Sequence, residues 1–163
     1  MRILVIDTLG GRCATALVSD GRVLAERIEA MARGHAERLF PMIDETLAAA
    51  GLTAADLGAV AVATGPGGFT GARIGVAAAR GLALASGAPA IGVDRLEALA
   101  DGALGAVLAT VALRDGRRAI RRFRDGAAES PPALVAPDDT AAEPRKGEGL
   151  IAAREGDSPD LRR

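Results

Sequence analysis

The sequence predicts an α/β fold: a mixed sheet built in the order β-β-β-α-β-α-β-α, followed by an incomplete second copy of the same unit. Three observations carry this. Three short apolar runs at the start are separated only by turn signals. The hydrophobic period then lengthens to that of a helix after Gly34, and a run-turn-run pattern restarts near Gly102–Gly105. The expected boundaries are 1–104 for the first domain, 105–136 for the partial second one and 137–163 for a tail without order.

Ile3–Ile6 is a short β-rich run, and Ala14–Val18 follows after the turn at Gly10-Gly11. Asp20-Gly21 marks a hairpin, because tight hairpin turns need the positive φ that Gly tolerates, and Val23–Ile28 makes the third strand. From His35 to Ala50 the larger apolar residues fall at Leu39, Phe40, Met42, Ile43 and Leu47, a helical spacing. Gly51 is placed to end that helix. Pro41 should bend it or mark its first turn. Ala59–Thr64 reads as a fourth strand, Gly65–Gly71 as a glycine-rich turn and Arg73–Ser86 as a helix apolar nearly all round. Ala90–Val93 is a fifth strand and Arg95–Ala100 a short helix. In the second copy, Ala106–Leu113 and Arg117–Arg124 pair across Asp115-Gly116, and Ala133–Val135 can add to the sheet. Residues 137–163 are charged and broken by Pro and Gly, too poor in apolar surface to offset the entropy of ordering them.

With 163 residues, 20 basic and 21 acidic side chains and a net charge of −1, the chain lacks the basic stripe of a dedicated nucleic-acid binder. Aromatic residues make up 2%, which excludes base-stacking platforms. One Cys and one His exclude a Cys/His zinc site, a disulfide framework and a dithiol redox pair; no metal site and no cofactor are expected. No apolar run has the length of a membrane span, and the N-terminus has no signal-peptide pattern, so no membrane association and a cytoplasmic location are expected.

Several residues have two readings. The Gly65–Gly71 stretch joins a strand to a helix, where backbone amides can cradle a phosphate, with Gly65, Gly67 and Gly68 nearest it. Equally, its glycines let strand and helix pack closely, and its spacing matches neither a phosphate-binding loop nor a dinucleotide fingerprint. Asp7, followed by Thr8 at the end of the first strand, has the chemistry to hold a magnesium-bound water beside a nucleotide, or to cap the adjacent turn. His35 caps or contacts a partner rather than acting as a base, since no nucleophile is placed for it. Cys13 reads as a small half-buried residue. The dense cluster Arg117, Arg118, Arg121, Arg122 and Arg124 offers a weak contact with an RNA backbone, or a solvated, poorly formed strand. The helix Arg73–Ser86 presents Gly75, Ala78, Ala79 and Gly81 between Ile74, Val76, Leu82 and Leu84, a surface on which another helix can pack flush.

Three separated motifs occur in order: Ile3-Leu4-Val5-Ile6-Asp7-Thr8, His35-Ala36-Glu37-Arg38-Leu39-Phe40-Pro41 and Gly65-Pro66-Gly67-Gly68-Phe69-Thr70-Gly71-Ala72-Arg73-Ile74-Gly75. Over residues 1–100 this closely resembles the TsaB (YeaZ) family of bacterial proteins, with a weaker likeness through Pro131–Pro137. The resemblance implies the duplicated actin-like ATPase (ribonuclease H-like) fold. It implies a non-catalytic dimerisation subunit that supports a TsaD-like catalytic subunit in transferring threonylcarbamoyl to the adenosine next to the anticodon of tRNA. A TsaE-like ATPase joins through the complex, tRNA is met only indirectly, and a homodimer is an alternative assembly. The expected interface comprises His35, Leu39, Phe40, Ile43, Leu47, Arg73, Ile74, Ala77, Ala78 and Gly81. Family names that mention a glycoprotease find no support in the residues, which include no Ser-His-Asp order and no activated Cys. The rival class is an actin-like nucleotide-binding phosphotransferase or ATPase using Asp7 and Gly65–Gly68. Family members extend further and complete the second domain, so a partial second domain is expected here, dependent on a partner for stability.

Overall fold

In the computed structural model the described residues are 1–137, residue 139 and, as backbone, 149–153. Contacts divide the described residues into two compact units, one comprising 1–64 with 69–93 and the other 65–68 with 94–137, 139 and 149–153. No helix among the described residues is long and apolar enough to cross a membrane.

The first unit is organised on a five-stranded sheet of β1 (Arg2–Asp7), β2 (Arg12–Ser19), β3 (Arg22–Ala30), β4 (Ala59–Gly65) and β5 (Ala90–Asp94), in spatial order β3-β2-β1-β4-β5. β2 is antiparallel to both β1 and β3, while β4 runs parallel to β1. Asp20 and Gly21 both adopt positive φ, +51° and +75°, which is the left-handed pair that a two-residue hairpin turn requires. Alternation along the strands sends Leu4, Ile6, Cys13, Leu17, Val60 and Val62 to one face. Two helices cover that face: α1 (His35–Ala49) with Leu39, Met42, Ile43 and Leu47, and α2 (Phe69–Ser86) with Ala78 and Ala79. Removing a large aliphatic side chain from water in such a core contributes about 1.5–3 kcal/mol. The buried hydroxyls of Thr15 and Thr46 satisfy each other at 2.7 Å, and Thr46 also donates to the Met42 carbonyl.

α1 continues past Pro41, so that residue does not mark its first turn; Pro41 is exposed and leaves the Glu37 carbonyl without its usual donor. Its C-terminus closes on Gly51 at φ +67°: Gly51 N–H donates to Ala48 and Leu52 N–H to Leu47, which satisfies two of the last carbonyls. α2 begins at Phe69, earlier than the Arg73 start expected from its pattern. The glycine pattern predicts a turn through Gly71, yet Gly71 lies in the helix because its missing side chain is needed there. A Cβ at Gly71 would sit 1.9 Å from the Thr8 carbonyl oxygen, and one at Gly75 would sit 2.6 Å from the Thr8 hydroxyl.

The second unit holds α3 (Arg95–Ala100), β6 (Ala106–Ala112), β7 (Arg118–Arg124), β8 (Ala127–Ala128), β9 (Ala133–Val135) and β10 (Gly149–Ala153). Asp94 caps α3 by accepting from Leu96 N–H at 2.7 Å and Glu97 N–H at 3.2 Å. Leu96 and Ala100 of α3 pack with Val107, Ala109, Val111, Ala119 and Phe123. β6 and β7 are antiparallel, and β10 is parallel to β6. β10 departs from the expectation that 137–163 has no order: the uncharged run Gly149–Ala153 is long enough for a strand. The remainder of that segment, 138, 140–148 and 154–163, lies outside the described residues.

β7 is well formed, against the expectation of a solvated, poorly formed strand. Ala119, Ile120 and Phe123 are buried, while Arg118, Arg121 and Arg122 are half-buried and Arg124 is exposed. Arg121 pairs with Glu97 at 2.7 Å and donates to the Ser130 carbonyl, Arg118 donates to the Pro137 carbonyl, and Arg124 pairs with Glu129.

Candidate functional site

Two groups of residues were singled out by the sequence, and the structure treats them differently. The first is the end of β1. The Asp7 carboxylate accepts from Leu9 N–H at 2.9 Å and lies 3.8 Å from the Arg12 guanidinium, so it caps the turn into β2. Thr8 is only 1% exposed, and its hydroxyl donates to the Gly71 carbonyl at 2.7 Å. Thr8 therefore anchors the first turn of α2 instead of facing the surface. Gly65, Gly67 and Gly68 belong to the other unit, where Arg95 donates to the Pro66 carbonyl at 3.2 Å.

The second group is the pair of helices. Leu39, Ile43, Leu47 and Ala78 were expected to meet a partner, but each is buried in the core of the first unit. His35 is buried as well, with its Nε2 lacking a hydrogen-bond partner. The reason is symmetric: a periodic apolar stripe marks the covered side of a helix without saying whether a sheet or another molecule covers it. Of the expected interface residues, Phe40, Arg73, Ala77 and Gly81 are exposed and Ile74 is half-buried.

What the structure adds is a continuous outward stripe on α2. Phe69, Arg73, Ala77, Gly81 and Leu84 succeed one another at helical spacing, with Phe69 69% and Leu84 87% exposed. The Arg73 guanidinium lies 4.0 Å above the Phe69 ring, a cation–π stack that extends the ring's flat surface. On α1, Phe40 is 48% exposed, beside Glu37, Pro41 and Asp44. Sequence reasoning missed Phe69 because it stood inside the supposed turn; once the helix is extended back to 69, its spacing to Arg73 and Ala77 identifies it.

The flank of α1 is tied down by charge. Arg38 donates to Glu29 on β3 and to Glu45 two turns further along the same side of α1, at distances from 2.5 to 3.0 Å. These hydrogen bonds hold both carboxyls below the usual range and push the Arg38 guanidinium up. Cys13 lies in the core beneath, its thiol raised chiefly by burial and then by Glu29. Among the described residues no group of three or more His, Cys, Asp or Glu side chains is placed to hold a metal ion.

A family model described as TsaD, tRNA N6-adenosine threonylcarbamoyltransferase, matches residues 22–120. The tRNA threonylcarbamoyladenosine biosynthesis protein TsaB of Escherichia coli K12 is 46% identical over 103 residues, 63% of this chain and 44% of that protein. The solved structure of YeaZ from Pseudomonas aeruginosa superposes with a TM-score of 0.70 at 31% identity, covering 83% of this chain and 68% of that one. The chain belongs to the TsaB (YeaZ) family. Its fold is the actin-like one: component A of the (R)-2-hydroxyglutaryl-CoA dehydratase of Acidaminococcus fermentans, at 15% identity, shares it with a TM-score of 0.54. The chain spans 44 to 66% of the length of the first curated relatives it matches.

Proposed function

We propose that this TsaB-family chain is a non-catalytic dimerisation subunit supporting a TsaD-type transferase, which moves a threonylcarbamoyl group onto the adenosine next to the anticodon of tRNA. The observation that carries this reading is the outward face of α2: Phe69 and Leu84 stand exposed at either end of a stripe of small residues, with Phe40 of α1 nearby in the same unit. Bulky apolar side chains separated by Ala and Gly are what helix packing against a partner uses. The names of the relatives support the process, and the match of the TsaD model across 22–120 supports a partner built like this chain. In this reading tRNA is bound through the partner, a TsaE-like ATPase joins through the complex, and the chain itself carries no cofactor. The site of action is the cytoplasm.

The test mixes the chain with the TsaD-type transferase of its own source and measures mass by light scattering after size exclusion. A one-to-one complex is expected, weakened at least tenfold by Leu84→Asp, with an unchanged melting temperature because Leu84 is outside the core. A wild-type chain that does not associate, or a complex indifferent to Leu84→Asp, overturns the proposal.

A further inference from the structure

α1 is held to the sheet unevenly along its length. Its later turns are anchored inside the core: the Thr46 hydroxyl meets that of Thr15 on β2 at 2.7 Å, and Met42, Ile43 and Leu47 are buried. The first turn lacks three of the usual supports. Gly34, at φ +87°, has no side chain to accept from the first N–H groups of the helix. The His35 imidazole is buried, yet its Nε2 finds no hydrogen-bond partner among the described residues. Keeping that nitrogen from water costs free energy that opening would return. Pro41 has no N–H, so no backbone hydrogen bond ties the Glu37 carbonyl to the turn that follows.

Two contacts oppose these deficits. Arg38 donates through Nε to both carboxylate oxygens of Glu29 on β3, at 2.8 and 3.0 Å, and through its terminal nitrogens to Glu45. Leu39 is 1% exposed and packs in the core. What lies beneath them follows from the register. Glu29 stands opposite Cys13 across the β2–β3 ladder, and Cys13 belongs to the same core cluster as Leu39. The start of α1 therefore covers Cys13, whereas its later turns cover Thr15, two residues further along β2. Pro41 falls between the two parts.

From this arrangement we infer that residues 34–40 form a latch, which opens about Pro41 while 42–49 stay on the sheet, and that the Arg38 clamp keeps it shut. Opening carries Leu39 off the sheet, lets water reach His35 and uncovers Cys13, the one thiol of the chain. The first unit stays folded meanwhile, because Met42, Ile43 and Leu47 keep their places in its core. Openings of this kind are drawn from the least-supported segments of a fold and need less free energy than global unfolding. The latch concerns the inner face of α1 and requires no partner on the outer one.

The experiment labels Cys13 in the full chain with an excess of an aromatic disulfide, at urea concentrations below the unfolding transition. The Cys13 thiolate attacks the reagent's S–S bond, forming a mixed disulfide and releasing one coloured thiolate per chain. A latch exposes little surface, so the wild-type rate should be nearly independent of urea at low concentration. Exposure by global unfolding would instead follow the full slope of the equilibrium transition. Within the flat range, Arg38→Met is expected to speed labelling at least tenfold. Pro41→Ala, which restores the hydrogen bond to Glu37, is expected to slow it at least tenfold. As a second measurement that needs no variant, the amides of residues 38–40 should exchange with deuterium through the same urea-insensitive opening. Those of residues 43–47 should exchange only with global unfolding. Labelling that follows the global slope from zero urea, a rate that either substitution leaves unmoved, or uniform protection along α1 overturns the inference.

Discussion

The two sides of α2 are made from nearly the same residues for opposite reasons. On the inner side Gly71, Gly75, Ala78 and Ala79 are small because β1 is already there: a Cβ at Gly71 would overlap the Thr8 carbonyl, and Ala79 is fully buried. On the outer side Ala77 and Gly81 are small with nothing against them. A glycine or alanine in a helix therefore records either a contact that has been made or a space that is still open, and composition cannot tell the two apart. The inner face builds the fold, and the outer face is the one we propose receives a partner.

Introducing a carboxylate separates the two faces most sharply. Ala78→Glu places a charge in the apolar core, where Ala78 is only 6% exposed, and should destabilise the first unit by about 3 kcal/mol or more. Ala77→Glu, one residue earlier and exposed, should leave thermal unfolding unchanged while weakening association. Equal losses of melting temperature in both variants would break the distinction. A subtler version adds one methyl group. Gly71→Ala drives a Cβ into the Thr8 backbone and should destabilise by roughly 1–3 kcal/mol through overpacking. Gly81→Ala meets open space and should stabilise the helix by about 0.5–1 kcal/mol, because alanine loses less backbone entropy on folding. Opposite signs in a pair of urea titrations would confirm that the two glycines serve different faces.

Much of this architecture is legible without coordinates. The Asp20-Gly21 hairpin and the Gly51 helix end are positions where local chemistry and global fold demand the same residue, and both elements fall where the pattern puts them. The short helix Arg95–Ala100 is recovered to the residue because Asp94 is a strong cap. Legibility fails where one residue type answers two demands. Gly71 reads as a turn when it is a close contact inside a helix. The arginines of β7 read as an obstacle to burial when their long stems let the charge leave the sheet, as Arg121 does to reach Glu97. The interface was assigned to Leu39, Ile43 and Leu47 because the largest residues of a stripe attract that reading, but the sheet had the prior claim on them.

Acid should act on the inner packing through the clamp on α1 and so provides the gentlest test of which face holds the fold. Arg38 joins Glu29 of β3 to Glu45 of the same helix, and its hydrogen bonds lower both carboxyl pKa values in the folded state. In the unfolded chain these groups return to about 4.3. Above that value the contribution of the clamp to stability is fully present; as pH falls through the lower folded values the carboxyls protonate and it is lost. In that window the unfolded state binds more protons, so stability must rise with pH. Arg38→Met removes the cause of both shifts, and the melting temperature of the variant should depend less on pH between about 3 and 5 than that of the wild type. The groups are solvent-accessible, so the effect is expected to be small and to shrink with added salt. Because Arg38 is not among the exposed residues of the outer stripe, its removal should alter this acid profile without changing association with the proposed TsaD-type partner near neutral pH. A variant that lost the proposed TsaD-type partner while keeping the wild-type acid profile would move the clamp from the inner face to the outer one.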